Sequence, residues 1–257
     1  MNNNWIDFIE RRGWYKFDSI IDETFISDLK SEIFEKQDYY KQVQTAGGVF
    51  NESRNAYHHT IVSCQRTQIK LFDPFPLNNE IYDYFKGNFI LNACGSTTIF
   101  PKSSVYTQNI HRDSRSFLND KYMMNFVLLL DDSDDVNGAT WVLEKSHLSS
   151  ERPSDSLFFD KGIRLKGKAG DIIAFDANLW HSSGKNNSDY SRTIITFLLT
   201  KPFIKPSLNY PEILFDYNNN NYSRELHQVL GFNARIPNSI EDFYQPKDQR
   251  YYKSDQG

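Results

Sequence analysis

The chain has 257 residues, 29 Lys and Arg against 33 Asp and Glu, a formal net charge of −4 and 39% hydrophobic residues. This length and hydrophobic content suit one large domain with a real core and exclude a wholly disordered chain. The mildly acidic charge, without a long basic run, argues against nucleic-acid binding, and no apolar run reaches the 18 residues of a membrane span. With no secretory signal at the N-terminus and only Cys64 and Cys94, which form neither a disulfide framework nor a zinc site, we expect a soluble, cytoplasmic protein.

The N-terminal part of the chain, about residues 1–88, is predicted to form a helical support with one short strand at 14–17. An apolar stripe at helical spacing predicts a helix over 22–36, with Asp22 as its N-cap because a carboxylate there can accept the free backbone N–H groups. A second short helix is expected at 79–86. The polar, turn-rich segments in between read as loops: 45–56 and 73–79.

From about residue 89 the pattern changes to short runs of β-branched and aromatic residues separated by turn signals. These runs predict strands at 89–93, 97–100, 104–111, 122–131, 140–144, 171–176 and 193–199. Asn137-Gly138 predicts a hairpin turn, since both residues tolerate positive φ. Short strands without long intervening helices are typical of an antiparallel barrel or sandwich. We assign this β-rich core of the fold to about residues 89–204. A C-terminal extension follows at about 205–257, with one helix near 222–230.

Three residues far apart in the sequence have the chemistry of a metal site. His111 and Asp113 are two residues apart, a spacing that puts both side chains on one face of an extended chain. His181 follows the predicted strand 171–176 after a short turn. Two imidazoles and one carboxylate on one face of a metal, with the opposite positions open, are the ligand set of non-haem Fe(II) oxygenases.

A basic residue strengthens this interpretation. Arg192 lies eleven residues after His181 and begins an apolar strand. A guanidinium beside a metal site can bind a carboxylate through two parallel hydrogen bonds, so Arg192 is suited to hold the far end of a dicarboxylic oxo-acid. Ser183, two residues after His181, can add a hydroxyl donor to that carboxylate.

Taken together, these segments resemble the phytanoyl-CoA dioxygenase-like family. The resemblance extends from the helix at 22–36 to the segment 230–237. Its motifs are His111-x-Asp113, Asn137-Gly-Ala-Thr140, Glu144-Lys-Ser-His147, Trp180-His-Ser-Ser183 and Arg192. One departure is Glu144-Lys145, where the family usually has Pro-Gly before Ser-His.

The resemblance implies a mainly β fold with flanking helices, a double-stranded β-helix of the jelly-roll, cupin-like type, formed by residues 1–257 as a single domain. It implies Fe(II) held by His111, Asp113 and His181, with 2-oxoglutarate anchored by Arg192 and Ser183. O2 is then the second co-substrate, and succinate and CO2 are released. With the carboxylate of Asp113 present, hydroxylation of a C–H bond is the expected outcome.

Three further residues are candidates for contacts near this site. Asn125 shares strand parity with Val127, so it can hydrogen-bond the co-substrate if that face points inward. Arg115 shares parity with Asp113 and can reach an anionic group of the substrate, although a surface ion pair explains it equally well. Trp180 either lines the substrate pocket or packs in the core.

The remaining histidines have structural explanations. His58 and His59 are adjacent, so on a strand they point to opposite faces; they read as one buried and one exposed residue, or as a substrate-side wall. His147 and His227 read as structural or surface residues. His111-Arg-Asp113 also matches a protein-kinase catalytic loop, but the chain lacks that loop's asparagine at the required spacing, the Gly-rich loop and the Asp-Phe-Gly segment.

Two rival functions stay open on the sequence: a jelly-roll protein that binds 2-oxoglutarate and metal without turnover, and a metal-dependent isomerase or epimerase, which Arg192 disfavours. The substrate is expected to be a small, polar metabolite, because no basic cluster for a CoA phosphate is present. We expect neither nucleic-acid nor membrane partners. The C-terminal helix either forms a homodimer contact or packs on its own barrel.

Overall fold

The strands of the chain lie in two antiparallel sheets. The computed structural model describes residues 4–114, 116–117, 120–214, 222–234 and 236–246. In chain order the strands are β1 (Trp14–Phe17), β2 (Ala56–His58), β3 (Ile90–Ile99), β4 (Met123–Leu129), β5 (Thr140–Val142), β6 (Ile163–Leu165), β7 (Ile172–Asp176), β8 (His181–Ser182) and β9 (Arg192–Thr200). The larger sheet has the order β1-β7-β4-β9-β3-β2, and the smaller sheet has the order β6-β5-β8.

Helices flank these sheets, and most of them come before β3 in the chain. They are α1 (Asn4–Arg12), α2 (Glu23–Glu35), α3 (Gln37–Ala46), α4 (Phe50–Ser53), α5 (Gln65–Leu71), α6 (Asn78–Phe85), α7 (Asp155–Lys161), α8 (Tyr210–Ile213), α9 (Arg224–Val229) and α10 (Ile240–Phe243). Short 3-10 helices span Thr60–Val62, Tyr106–Gln108, Ser146–Leu148 and Phe232–Ala234. As predicted, Asp22 caps α2: its Oδ1 accepts the N–H of Phe25 at 2.9 Å.

Alternation along the strands divides the interior into two cores. On β4, Phe126 and Leu128 belong to the larger core, which packs against the helices, whereas Val127 and Leu129 belong to a smaller core shared with the second sheet. Because side chains alternate along a strand, Asn125 has the parity of Val127. The predicted parity of β4 is therefore correct, and Asn125 faces the second sheet rather than the helices.

Several predicted strands differ from the structure. The two runs 89–93 and 97–100 form the single strand β3, because β2 and β9 pair with it on both sides and carry it through its polar middle, with an irregularity between Leu91 and Ala93. Segment 104–111 is not a strand: it contains the 3-10 helix at 106–108 and pairs only through an isolated bridge at His111. Segment 45–56, predicted as a loop, includes α4 and the end of α3.

The prediction of a hairpin at Asn137-Gly138 is wrong. Strand β4 pairs with β7 and β9, and β5 pairs with β6 and β8, so this turn carries the chain from one sheet to the other. Gly138 does have a positive φ of 94°, and a Cβ on it would lie 2.7 Å from the carbonyl oxygen of Gly184. The glycine is required by the close approach of these two chain segments.

Glu144 and Lys145, where the sequence departs from the family pattern, are both accommodated. Lys145 has a φ of 66°, the left-handed conformation that a glycine adopts more easily. Glu144 Oε1 accepts hydrogen bonds from Arg12 Nε at 2.7 Å and Trp14 Nε1 at 2.8 Å. This carboxylate therefore ties the end of β5 to the N-terminal segment. That segment also supplies β1 and β2, the two edge strands of the larger sheet.

Candidate metal centre

The two sheets bring His111, Asp113 and His181 together. His111 and His181 form a two-way backbone bridge, with N–H to carbonyl distances of 2.9 and 2.8 Å. The N–H of Asp113 donates to the carbonyl of Ala177 at 3.1 Å, which fixes the segment after His111 against the loop between β7 and β8. The three candidate metal ligands are thus held by backbone hydrogen bonds on both sides of the site.

The three side chains converge on one point. One potential ligand atom from each residue lies within 4.8 Å of the other two. Asp113 has one carboxylate oxygen 3.6 Å from His181 Nε2 and the other 3.9 Å from His111 Nε2. The imidazole ring centroids are 4.2 Å apart. Atoms at these separations can all bind a single ion placed between them.

Both histidines present the correct nitrogen to such an ion. His111 Nδ1 lies 2.7 Å from the carbonyl oxygen of Asn109, and His181 Nδ1 lies 2.9 Å from that of Leu179. A carbonyl only accepts, so each Nδ1 carries the proton and each Nε2 has a free lone pair. Burial lowers the pKa of His181 to about 4, which keeps this imidazole neutral at pH 7.

Two neighbours on the larger sheet support the site. The amide nitrogen of Asn125 donates a hydrogen bond to Asp113 Oδ2, the same oxygen that faces His181. The Phe175 ring lies 4.7 Å from the His181 ring, centroid to centroid. Asn125 orients the carboxylate, and Phe175 shields the imidazole from water.

Arg192 is a fully buried cation with unused hydrogen-bonding capacity. Its Nε donates to the carbonyl of Asn137 at 3.3 Å, and its two terminal nitrogens have no hydrogen-bond partner among the residues that the structure describes. Burial lowers the pKa of the guanidinium to about 10, an effect opposed by Asp131, so it remains charged at pH 7. A buried cation with free donors fits a carboxylate ligand.

A cavity of about 150 Å³ adjoins the three metal-binding residues. Ser183 lines it and donates a hydrogen bond from Oγ to Thr107 Oγ1 at 2.9 Å. Ile194 lies two residues after Arg192 on β9, on the same face of the strand, and it also lines the cavity. The two imidazoles and the carboxylate therefore fit a divalent iron, and the two unpartnered nitrogens of Arg192 fit 2-oxoglutarate.

Of the remaining sequence candidates, Trp180 lies outside the cavity wall and Arg115 lies outside the described residues. Trp180 is buried, its Nε1 donates to the carbonyl of Glu151 at 3.1 Å, and its ring packs against the guanidinium of Arg112. Strand alternation at β8 explains this: His181 points into the site, so its predecessor points away.

Two other cavity residues, Thr107 and Tyr106, have no functional signal in the sequence. Thr107, Thr140 and Tyr106 line the cavity, together with His58 on β2. A substrate-side wall was one reading of the His58-His59 pair, and the position of His58 agrees with it. His59 instead contacts the hydroxyl of Tyr210 at 2.8 Å through Nδ1. The cavity residues come together only through strand pairing between distant parts of the chain. No short-range spacing in the sequence predicts that pairing.

Comparison with known proteins identifies the class. The family model of phytanoyl-CoA dioxygenase (PhyH) matches residues 33–194, which is more than half of the chain and includes His111, Asp113, His181 and Arg192. The chain belongs to this family. Family membership and the His-Asp-His cluster confirm the predicted cofactors, Fe(II) and 2-oxoglutarate.

Among curated proteins, the chain is similar to the uncharacterized protein Rv1501 of Mycobacterium tuberculosis, with 28% identity over 159 residues, 62% of this chain and 58% of that protein. It is also similar to the dioxygenase cdmD of Talaromyces verruculosus, with 28% identity over 127 residues, 45% of this chain and 41% of that protein. The matches therefore span about half of the length of these relatives.

Solved structures show the same fold. HygX from Streptomyces hygroscopicus, with nickel and 2-oxoglutarate bound, aligns with a TM-score of 0.64 at 11% identity over 80% of this chain and 89% of that chain. The α-ketoglutarate-dependent carbocyclase SnoK from nogalamycin biosynthesis aligns with a TM-score of 0.59 at 13% identity over 78% of this chain and 84% of that one. These likenesses confirm the jelly-roll fold. Among the described residues, no helix combines the length and the apolar character needed to span a bilayer.

Proposed function

We propose that this protein is an Fe(II)- and 2-oxoglutarate-dependent dioxygenase that hydroxylates a C–H bond of a small-molecule metabolite, releasing succinate and CO2. The observation that carries the proposal is the convergence of His111, Asp113 and His181 within 4.8 Å of one another. Two imidazoles and a carboxylate on one side of a metal leave the remaining positions for 2-oxoglutarate and O2.

Each residue has a distinct task in this proposal. His111, Asp113 and His181 hold the iron, while Asn125 holds the carboxylate of Asp113 in place. Arg192 binds the distal carboxylate of 2-oxoglutarate through its two unpaired nitrogens. The Ser183 hydroxyl, which donates its one proton to Thr107 Oγ1 in this structure, turns away from Thr107 to donate to the same carboxylate. When bound, iron and 2-oxoglutarate supply the activation of O2, and the protein supplies orientation and a shielded cavity.

Two rival functions make different predictions. A protein that binds 2-oxoglutarate without turnover releases no succinate, and an isomerase or epimerase returns a product of unchanged mass. The unpaired guanidinium of Arg192 favours chemistry that uses an oxo-acid over the isomerase. Cyclisation is the alternative outcome within the oxygenase class, since a carbocyclase shares this fold.

The reaction type is tested by measuring succinate release together with product mass. The protein is incubated with Fe(II), ascorbate, 2-oxoglutarate and pooled metabolites, and products are compared in ¹⁶O2 and ¹⁸O2. We expect succinate in step with a product heavier by one oxygen that carries the ¹⁸O label. A product lighter by two hydrogens contradicts hydroxylation, and iron-loaded protein that never releases succinate contradicts the enzymatic proposal.

The role of Arg192 is tested separately by anaerobic titration of the Fe(II) protein with 2-oxoglutarate, followed through the visible absorption band of the chelate. Loss of the buried ionic hydrogen bonds in Arg192→Ala is expected to raise the apparent Kd for 2-oxoglutarate by about tenfold to a hundredfold. Arg66→Ala, at a largely exposed position, is the control and should titrate like the parent. An Arg192→Ala protein that is folded by circular dichroism and binds 2-oxoglutarate as well as the parent contradicts this role.

We propose further that residues 1–257 act as one dioxygenase domain in the cytoplasm. The contribution of β1 and β2 to the larger sheet supports this organisation, because the sheet is incomplete without the N-terminal segment. The homodimer stays a prediction, which sedimentation of the purified protein tests.

A further inference from the structure

A second polar pair, His58 and Tyr106, lies on the wall of the cavity. The strand register places His58 opposite Gly95, Gly95 opposite Thr196, and Thr196 opposite Val127. These four residues all line the cavity, so they form a continuous row from β4 to β2. Three strand spacings correspond to about 14 Å, which places His58 at the far edge of this row.

The two side chains of this pair are joined by a hydrogen bond. The Tyr106 hydroxyl lies 2.9 Å from His58 Nε2. Burial lowers the pKa of His58 and raises that of Tyr106, so both groups are neutral at pH 7. No described residue bonds to the other ring nitrogen of His58, and both His58 and Tyr106 are exposed to solvent.

The free hydrogen-bonding capacity of this pair is the same in either tautomer. If the Tyr106 hydroxyl donates to Nε2, then Nδ1 of His58 carries a proton to donate and the phenol oxygen can still accept. If Nε2 donates, Nδ1 accepts and the phenol donates. In both cases the pair offers one donor and one acceptor without net charge, which complements a hydroxyl group.

The rest of the wall carries little charge. Among the described residues that line the cavity, Asp113 is the one carboxylate, and no lysine or arginine is present. The polar groups on the floor beside this pair are the hydroxyls of Thr97 and Thr196, next to the apolar Val127 and Leu198. A carboxylate or phosphate placed here would find no cationic partner on the described part of the wall.

We propose that His58 and Tyr106 are substrate-positioning residues and that the part of the substrate held in this cavity is uncharged and bears a hydroxyl group. This inference rests on the proposed function and narrows its substrate class. It excludes a bound portion that ends in a carboxylate or phosphate, and it places the hydrogen-bonded end of the substrate at β2, with the reacting end toward the metal-binding residues.

The test uses two matched sets of compounds with the Fe(II)- and 2-oxoglutarate-loaded protein. One set contains neutral hydroxylated rings: methyl glycosides, cyclitols and benzyl alcohols. The other contains the same skeletons with a carboxylate or phosphate. The readouts are stimulation of succinate release and the shift of the anaerobic chelate band on adding each compound. His58→Leu and Tyr106→Phe remove the pair, His58→Asn retains a donor and an acceptor, and Tyr190→Phe is an exposed control.

We expect neutral compounds to stimulate succinate release and to shift the chelate band, and their charged counterparts to have an effect about tenfold to a hundredfold smaller. In His58→Leu and Tyr106→Phe, the effect of the neutral compounds should fall by the same factor. His58→Asn should recover part of the response, and Tyr190→Phe should match the parent. The inference is overturned if charged compounds stimulate succinate release or shift the chelate band as much as neutral ones or more. It is also overturned if the two variants keep the full effect, or if neither set of compounds has any effect on the parent protein. The proposed function fails separately, if the chelate band itself never forms in the parent protein.

Discussion

At the scale of single residues, Asn125 connects the larger sheet to the metal-binding residues. Its amide nitrogen donates to Asp113 Oδ2, while its own oxygen has no hydrogen-bond partner within the described part of the chain. Asp113 lies on a segment outside the regular strands, so this hydrogen bond, together with the backbone bond to Ala177, determines where the carboxylate points. A residue that orients a metal ligand contributes to affinity without touching the metal.

Replacing this amide therefore has a defined consequence. We expect Asn125→Ala to lower the affinity for Fe(II) by about tenfold to a hundredfold, because the Asp113 carboxylate is no longer oriented. Isothermal titration under anaerobic conditions measures this. Asn92→Ala is the matched control: Asn92 is equally buried on β3 and bonds to Lys205 and Ser207, so it should lose stability and keep its iron affinity. Equal iron affinities in both variants contradict the role of Asn125.

The candidate residues of the metal site could be named from the sequence because their signals are local. The two-residue spacing of His111 and Asp113, and the position of Arg192 after His181, can be read without knowing the fold. His58 and Tyr106 could not be paired in this way, since their contact depends on β2 joining the sheet edge and on a 3-10 helix where a strand was predicted. The position of Trp180 depends likewise on the direction of β8, a strand of two residues with no pattern of its own.

At the scale of elements, the turn between β4 and β5 links the fold to Arg192. The Asn137 carbonyl accepts the hydrogen bond from Arg192 Nε, and Gly138 beside it packs against Gly184. The sequence indicated a turn here correctly, but it could not indicate which strands the turn connects. That depends on pairing partners far along the chain, which turn residues do not encode.

Substitution of this glycine tests the link. In Gly138→Ala the new Cβ meets the Gly184 carbonyl oxygen at 2.7 Å, at a φ of 94°, so the turn must shift. We expect a loss of about 2 kcal/mol or more in the free energy of unfolding, measured by urea denaturation, and a raised KM for 2-oxoglutarate.

Gly48→Ala is the control for this change. Gly48 also has a positive φ, of 73°, but a Cβ there has no atom within 4 Å. It should lose only about 1 kcal/mol through backbone strain and keep the parent KM for 2-oxoglutarate. A Gly138→Ala protein with an unchanged KM would show that the turn does not position Arg192.

At the scale of the whole molecule, the jelly roll explains why residues from distant parts of the sequence share one site. The smaller sheet and the larger sheet enclose a small core that includes Val127, Phe175 and Ile194, and the metal-binding residues lie beside this core. The larger core on the other face packs against the helices, and two of its members, Cys94 and Phe197, also line the cavity. The mainly β class followed from the composition and spacing of short runs, whereas the division into two sheets came from the family resemblance.

The central claim is that His111, Asp113 and His181 bind one ferrous ion together. Its most direct test is a crystal soaked anaerobically with Fe(II) and recorded on both sides of the iron absorption edge. The account predicts a single strong anomalous peak within bonding distance of His111 Nε2, His181 Nε2 and one carboxylate oxygen of Asp113. An iron peak bound elsewhere, or no peak at these three residues in a fully soaked crystal, would contradict it.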